Sequence, residues 1–179
     1  MNNNKLNTLS TNDNSEFAGA VIVDNSDFED TTNEAREAAV AALGAAFHED
    51  WRKTRQNEDG SFEPRLKGTK DESWIEANGT DQVDIANTDY ANLPADWQAE
   101  NKAAAEVVVD IFEDRDGLVD LSDEETRNEV GAVVHDAWLA RNEWAKGGDL
   151  DVPFVELSEA EQSKDLDQVV VAQRIFSHE

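Results

Sequence analysis

Apolar residues recur at helical spacing in four stretches of the chain, and each stretch predicts a helix. In the first stretch, Val40, Leu43, Phe47 and Trp51 fall on one helical face. Pro94 stands at a first-turn position of the second stretch. The other three begin with capping-box pairs, Thr31/Glu34, Ser122/Glu125 and Ser158/Glu161. The predicted helices cover residues 34–55, 94–113, 122–144 and 158 to near the C-terminus.

Two polar stretches lie outside these helices. Residues 1–32 are rich in Asn, Ser, Thr and Asp and hold one apolar island at 17–23, so we predict a flexible tail. Residues 56–92 carry turn signals at Gly60, Gly68 and Gly79 and only scattered apolar residues. They predict an ordered insertion with a short helix near 71–77 and a short strand at 83–85. Residues 152–154 are predicted to be extended.

A four-part pattern occurs twice, which indicates an internal duplication. A His is followed three residues later by a Trp; farther on, a Leu is followed by Gln after five residues and by Asn or Asp after three more. The two copies of these residues are His48, Trp51, Leu93, Gln98 and Asn101, and His135, Trp138, Leu157, Gln162 and Asp165. In each copy the pattern joins two predicted helices, so each copy is expected to be a helical hairpin.

The expected fold is therefore mainly α, with two helical-hairpin repeats, four main helices, short extended segments and a pseudo-twofold arrangement. The predicted boundaries are a tail at 1–32, a first repeat at 33–114 with the insertion 56–92, a linker at 115–121, and a second repeat at 122–179. A chain of 179 residues is long enough for one substantial core or two small ones.

The charge of the chain limits its partners. It has 41 acidic and 15 basic residues, a formal charge of −26, which should repel nucleic acid phosphates and anionic membranes. We therefore expect no direct duplex binding and no membrane binding. The chain has no Cys, and no apolar run is long enough to span a bilayer. A cytoplasmic location is expected.

The acidity itself has two interpretations. A negative surface maintains solubility, and it also resembles nucleic acid closely enough to block a basic groove on a protein partner. Charge alone does not separate these interpretations.

A basic cluster interrupts this acidity in the first copy. Six of the fifteen basic residues fall within nineteen positions, and they are Arg52, Lys53, Arg55, Arg65, Lys67 and Lys70. Arg offers bidentate donors to phosphate or carboxylate, and Lys adds a point charge. The cluster, together with Trp51 and Trp74, predicts an anion-binding site; the alternative is that the cations neutralise the protein's own carboxylates.

The repeated His and Trp also have two interpretations. Because they are three residues apart, the His and the Trp lie on one face of their helix, and the Gln and the Asn or Asp lie likewise on one face of the partner helix. Such a group forms either a cleft for a planar polar ligand or a polar network that fixes the hairpin. Repetition favours the structural role, which we assign to His48, Gln98, Asn101, His135, Trp138, Trp144, Gln162 and Asp165.

The sequence offers little support for catalysis. It has three His and no Cys, and no metal-binding His pair, nucleophile elbow or phosphate loop is present. Asp114, Asp116 and Asp120 with Gly117 do not have the spacing of an EF-hand. We predict no catalytic residues, no metal and no cofactor.

The second copy resembles the RyR domain, the repeat of ryanodine receptors that also occurs in bacterial and phage proteins. The resemblance lies in His135-x-x-Trp138, Trp144, the Val-Pro-Phe segment at 152–154 and the Leu-Ser-x-x-Glu-Gln-x-x-Asp run at 157–165. Residues 41–112 resemble it less closely, with Asp-Tyr-Ala-Asn-Leu at 89–93 in place of the Pro-aromatic segment and the basic insertion intervening. The resemblance implies a non-enzymatic helical module used in pairs, for regulation, domain contacts or sensing of nucleotide-derived ligands.

Two functional hypotheses follow from the sequence. The first is a non-enzymatic binding protein that holds an anionic, nucleotide-type ligand near Trp51, Arg52, Arg55, Arg65, Lys67, Lys70 and Trp74. The second is an acidic, phage-type inhibitor or interaction protein that blocks a nucleic-acid-binding partner by charge mimicry.

Overall fold

Five helices and one small sheet make up the part of the chain that the structure describes. The computed structural model describes residues 25–177, with side chains from residue 33 onward. The helices are α1 (Asn25–Lys53), α2 (Glu72–Asn78), α3 (Ala95–Glu113), α4 (Glu124–Arg141) and α5 (Glu159–Phe176). The strands are β1 (Leu66–Gly68) and β2 (Gln82–Asp84). With 63% of residues in helices, the predicted mainly α class is confirmed.

The four long helices share one hydrophobic core. Its most buried residues include Val40 of α1, Val108 of α3, Val130 of α4 and Val169 of α5. Within this core α1 packs on α3, α4 packs on α5, and α5 also contacts α1 and α3. Burying one such aliphatic side chain contributes about 1.5–3 kcal/mol, so the shared core holds both hairpins in a single body.

The insertion forms a small unit on the side of the first hairpin. Strands β1 and β2 pair antiparallel, with Leu66 opposite Asp84. The short helix α2 begins because the Asp71 carboxylate accepts a hydrogen bond from the Trp74 backbone N–H, and it ends at Gly79 in a left-handed conformation. Val83, Ile85 and Leu93 form the core of this small unit, with Trp74 packed against them.

Short 3-10 turns lead into the second helix of each hairpin. Tyr90–Asn92 precedes α3, and Phe154–Glu156 precedes α5. In the first, the Asp89 carboxylate accepts from the Asn92 backbone N–H; in the second, Pro153 supplies the extended entry. The two hairpins thus match in their long helices and in the 3-10 turn that precedes the second helix.

Several local predictions were wrong at the ends of elements. Helix α1 starts at Asn25, so residues 25–32 are helical instead of tail, and Thr31 lies inside the helix it was expected to cap. The N-cap of α4 is Asp123 and not Ser122, because the Asp123 carboxylate accepts from the Thr126 N–H. The apolar island at 17–23 lies outside the described residues.

The end of α4 and the 152–154 segment also differ from prediction. Helix α4 ends at Arg141 because Asn142 leaves the helical region, at φ −115° and ψ 66°. Trp144, predicted in that helix, lies in the 3-10 turn Glu143–Ala145. Phe154, predicted to be extended, begins a 3-10 turn. Strand β1 was not predicted.

Candidate functional site

The two repeated His side chains are buried and bonded to the loop that follows their helix. His48 Nε2 lies 2.8 Å from the Thr88 carbonyl oxygen. His135 Nε2 lies 3.1 Å from the carbonyl oxygens of Leu150 and Val152. Each imidazole therefore joins the end of its helix to the segment between the two helices of the hairpin. A polar network that fixes the hairpin would have such bonds.

The repeated Gln side chains hold the 3-10 turns. Gln98 Nε2 donates to the carbonyl oxygens of Ala91 and Leu93, at 3.3 and 2.8 Å. Gln162 Nε2 donates to the carbonyl oxygens of Phe154 and Leu157, at 3.1 and 3.2 Å. In both copies the amide thus bonds the carbonyl of the repeated Leu, and its second acceptor lies within the 3-10 turn, one position apart in the two copies.

A glycine and an aromatic residue extend the repeat, and neither was part of the predicted four-part pattern. Gly44 and Gly131 each lie four residues before the His, and Tyr90 and Phe154 each lie three before the Leu. A Cβ on Gly44 would lie 3.2 Å from Tyr90 Oη, and a Cβ on Gly131 would lie 2.3 Å from Phe154 Cζ. In both copies the missing side chain makes room for the aromatic ring. The matched spacing was the signal in the sequence.

Each copy also carries a cleft at equivalent positions. In the first copy the cleft has a volume of about 380 Å³ and is lined by His48, Trp51, Leu93 and Asn101, among others. In the second it has about 260 Å³ and is lined by the counterparts of those residues, His135, Trp138, Leu157 and Asp165. We refer to these as the first cleft and the second cleft.

Four tryptophans line the first cleft, two from each copy. Trp51 stacks on His48 with ring centroids 5.8 Å apart, and the Trp97 indole N–H donates to the Gly68 carbonyl at 3.1 Å. Trp138 and Trp144 reach the same cleft from the end of α4, in an edge-to-face contact at 5.6 Å. Trp144 is 75% exposed. The first cleft therefore lies between the two copies, and its aromatic surface comes from both.

The cations of the first cleft come from the insertion. Arg65 and Lys67 are two residues apart at β1, so both project toward the cleft, while Leu66 between them is exposed. Among the residues with described side chains, neither cation pairs with a carboxylate. Glu100 also lines the cleft, and its charge is offset by Arg141 at 3.3 Å. The lining thus carries a local excess of positive charge.

Two predicted ligand-binding arginines are engaged within the protein. Arg52 Nε donates to the Ala86 carbonyl at 2.8 Å, and its Nη1 pairs with Glu49 at 2.9 Å. Arg55 pairs with Glu63 at 3.1 Å, and its guanidinium lies 5.8 Å from the Trp51 ring centroid. Arg55 thus supports Trp51 from within the chain. Arg52 and Arg55 thus neutralise the protein's own carboxylates, which was the alternative interpretation of the basic cluster, and within residues 33–177 Arg65 and Lys67 do not.

Lys70 and Trp74 do not line the first cleft. The Lys70 side chain is exposed, and its backbone N–H donates to the Asp96 carboxylate at 2.8 Å. Trp74 packs against the core of the insertion. Of the seven residues predicted to bind a ligand, the structure brings together Trp51, Arg65 and Lys67 in this cleft.

The two clefts differ at one hydrogen-bonding position. In the second, His135 Nδ1 lies 3.1 Å from the Asp165 carboxylate, and burial raises the pKa of that carboxyl group. In the first, Asn101 takes the place of Asp165, and its Nδ2 donates to the Trp97 carbonyl at 2.9 Å. Burial lowers the pKa of His48, chiefly through desolvation. The first cleft is thus lined by a neutral imidazole without a carboxylate partner.

Within residues 33–177 the structure brings together no group of three or more His, Asp or Glu side chains that would hold a metal ion. No helix in the described part of the chain has both the length and the apolar character needed to cross a bilayer.

The chain matches no family model, no curated protein and no solved structure. The resemblance to RyR-domain repeats stays a prediction from the sequence.

Proposed function

We propose that this protein is a non-enzymatic binding protein that holds an anionic, nucleotide-type ligand in the first cleft. The observation that carries the proposal is that Trp51, Arg65 and Lys67 open onto one cleft together with Trp97 and Trp138. Aromatic faces suit a planar ring, and cations that have no carboxylate partner among residues 33–177 suit a phosphate. A resemblance to RyR-domain repeats agrees with a binding role.

The size and lining of the first cleft support a small ligand. Its volume of about 380 Å³ falls in the range of about 300–1,000 Å³ found for small-molecule sites. An aromatic ring stacked on a tryptophan contributes about 0.5–1.5 kcal/mol beyond its buried area. Exposed Trp144 stands beside Trp138, where a bound ring would gain a second aromatic neighbour.

The charge of the first cleft supports an anionic ligand. In a chain with a formal charge of −26, any anion must overcome general repulsion, so a site for it needs local cations. Arg65 supplies a planar fork that matches two phosphate oxygens, and Lys67 adds a second charge two residues farther along the chain. Hydrogen bonds to charged groups contribute about 1.5–3 kcal/mol each.

Calorimetric titration tests the proposal. The panel contains the four ribonucleoside monophosphates and their cyclic forms, with inorganic phosphate and the nucleosides as probes of the anion and the ring alone. We expect Arg65→Ala and Lys67→Ala each to weaken nucleotide binding about tenfold or more, the equivalent of about 1.4 kcal/mol. Lys70→Ala is the matched control, because it removes a nearby exposed cation outside the cleft.

Two results would overturn the proposal. One is the absence of binding by every nucleotide up to about 1 mM, which corresponds to roughly −4 kcal/mol. The other is equal binding by the Arg65→Ala variant and the Lys70→Ala control. Chromatography of the nucleotide after incubation tests the non-enzymatic part, since the ligand should be recovered unchanged.

The alternative function, inhibition of a nucleic-acid-binding partner by charge mimicry, makes a different prediction about salt. Binding through many surface charges weakens steeply as salt rises, whereas a ligand stacked on tryptophans and held by two cations loses less. A titration series across ionic strength separates the two functions once a binding partner is in hand.

A further inference from the structure

The protonation state of His48 is set by its surroundings. Its Nε2 lies 2.8 Å from the Thr88 carbonyl oxygen, and a carbonyl only accepts, so Nε2 carries the hydrogen. Burial lowers the pKa of the ring, which is therefore neutral near pH 7. A neutral imidazole has one N–H, so Nδ1 carries a lone pair. His48 is consequently a hydrogen-bond acceptor at Nδ1.

In the second copy the same ring nitrogen is already occupied. His135 Nδ1 is 3.1 Å from the Asp165 carboxylate. In the first copy Asn101 stands at that position and directs its Nδ2 to the Trp97 carbonyl. Within residues 33–177, no donor reaches either His48 Nδ1 or Asn101 Oδ1. Both residues line the first cleft, so two acceptors there remain without a described donor.

We infer that His48 Nδ1 and Asn101 Oδ1 select a ligand whose planar ring carries an amino group, so that among nucleotides the first cleft prefers an amino-substituted base. This inference rests on the proposed function and specifies its ligand. An exocyclic amine has two N–H donors, one for each acceptor. The phosphate then meets Arg65 and Lys67, and the base lies against the tryptophans.

The difference between Asn101 in the first copy and Asp165 in the second also decides which cleft accepts such a ligand. A carboxylate facing the imidazole holds Nδ1, as it does for His135. An amide that bonds its own helix leaves Nδ1 to the ligand. Converting Asn101 to Asp should therefore give the first cleft the closed arrangement of the second.

The decisive comparison uses two probes, adenosine 5′-monophosphate and purine riboside 5′-monophosphate, which lacks the amino group. We expect the wild-type chain to prefer the first probe about tenfold or more, because the second probe leaves both acceptors without a donor. His48→Phe and Asn101→Asp should both bring the ratio of the two dissociation constants close to one.

Asn142→Asp is the control for added charge. Asn142 lines the same cleft, but its amide bonds Trp138 and Trp144 instead of facing His48. Its substitution should weaken both probes and leave their ratio unchanged. The ratio is the readout, so a general loss of affinity or stability does not imitate the expected result.

A ¹⁵N spectrum of the imidazole groups gives a second test. Free protein should show His48 as the neutral tautomer protonated at Nε2, and adenosine 5′-monophosphate should shift Nδ1 as it accepts a hydrogen bond. Equal binding of the two probes, or a His48 ring protonated at Nδ1 in the free protein, overturns the inference. Equal binding would leave the proposed function standing, whereas failure of these probes and of every other nucleotide in the panel to bind removes both.

Discussion

Substituting Gly131 by Ala should destabilise the protein because the Phe154 ring occupies the space of the missing side chain. A Cβ built on Gly131 lies 2.3 Å from Phe154 Cζ, with two more ring atoms within 2.6 Å. Carbon atoms in contact lie about 3.5–4.0 Å apart, so the ring would have to move by more than 1 Å. Phe154 is only 1% exposed and packs with Leu157 and Leu166, so little free space is at hand.

The magnitude follows from two opposing effects. Gly to Ala in a helix interior stabilises by about 1 kcal/mol, through the lower conformational entropy of the unfolded chain. Overpacking a core costs about 1–3 kcal/mol, and the depth of this overlap places Gly131→Ala at the upper end. The net expectation is a loss of about 2 kcal/mol. For a domain of this size that corresponds to a fall in Tm of roughly 4–8 °C.

Gly44→Ala is the matched control, since Gly44 is the equivalent residue of the first copy. Its Cβ would lie 3.2 Å from Tyr90 Oη, an overlap that a shift of a few tenths of an ångström relieves. Tyr90 is half-buried at the edge of the first hairpin. The helix-propensity gain of about 1 kcal/mol is then largely kept. Stability should be unchanged or slightly raised.

Urea unfolding followed by tryptophan fluorescence measures both variants. The result expected is a difference of about 2–3 kcal/mol between them, with the double variant Gly131→Ala/Phe154→Leu recovering part of the loss because the smaller side chain makes room. Equal stability changes in Gly44→Ala and Gly131→Ala would refute the steric argument. So would a Gly131→Ala variant as stable as the wild type.

Three further predictions concern Trp144 and the repeated Gln and His side chains. Trp144→Ala should change the free energy of unfolding by less than about 0.5 kcal/mol, because the side chain is 75% exposed, yet weaken nucleotide binding in calorimetry. Gln98→Ala and Gln162→Ala should each destabilise by about 1–3 kcal/mol in urea, since each leaves two backbone carbonyls without their donor. Folding lowers the pKa of His48 below 6.5, so between the folded and unfolded pKa values the unfolded chain binds one more proton than the folded chain. The free energy of unfolding should therefore rise with pH across that interval. In a series of urea denaturations at different pH values, His48→Gln should remove this rise.

The helices were predictable because their signals are periodic and local. Val40, Leu43 and Phe47 repeat at helical spacing, and all three are core residues of α1. Ser158 caps α5 through the Glu161 N–H, as its capping box predicted. The Thr31/Glu34 pair failed because the same pattern can occur within a helix whose preceding residues also adopt helical angles. Cap motifs therefore locate helix starts only when the residues before them leave the helix.

The first cleft was predictable only in part, because it depends on packing between distant elements. Trp51 and the basic residues of the insertion were visible as candidates. Arg52 is held by Glu49 and the Ala86 carbonyl, whereas Arg65 opens onto the cleft. This difference depends on where β1 lies. Nothing in the local sequence places Trp138 in the same cleft as Trp51, since that arrangement depends on how α4 packs across the shared core.

Trp138 lines both clefts, and this gives the protein a thermodynamic property that neither copy has alone. A shift of this ring that enlarged one cleft would narrow the other. A ligand in the first cleft that fixed the ring would therefore also fix one wall of the second cleft, and by linkage a compound in the second cleft would have an equal effect on the first. The duplication thus leaves two clefts that share one aromatic wall.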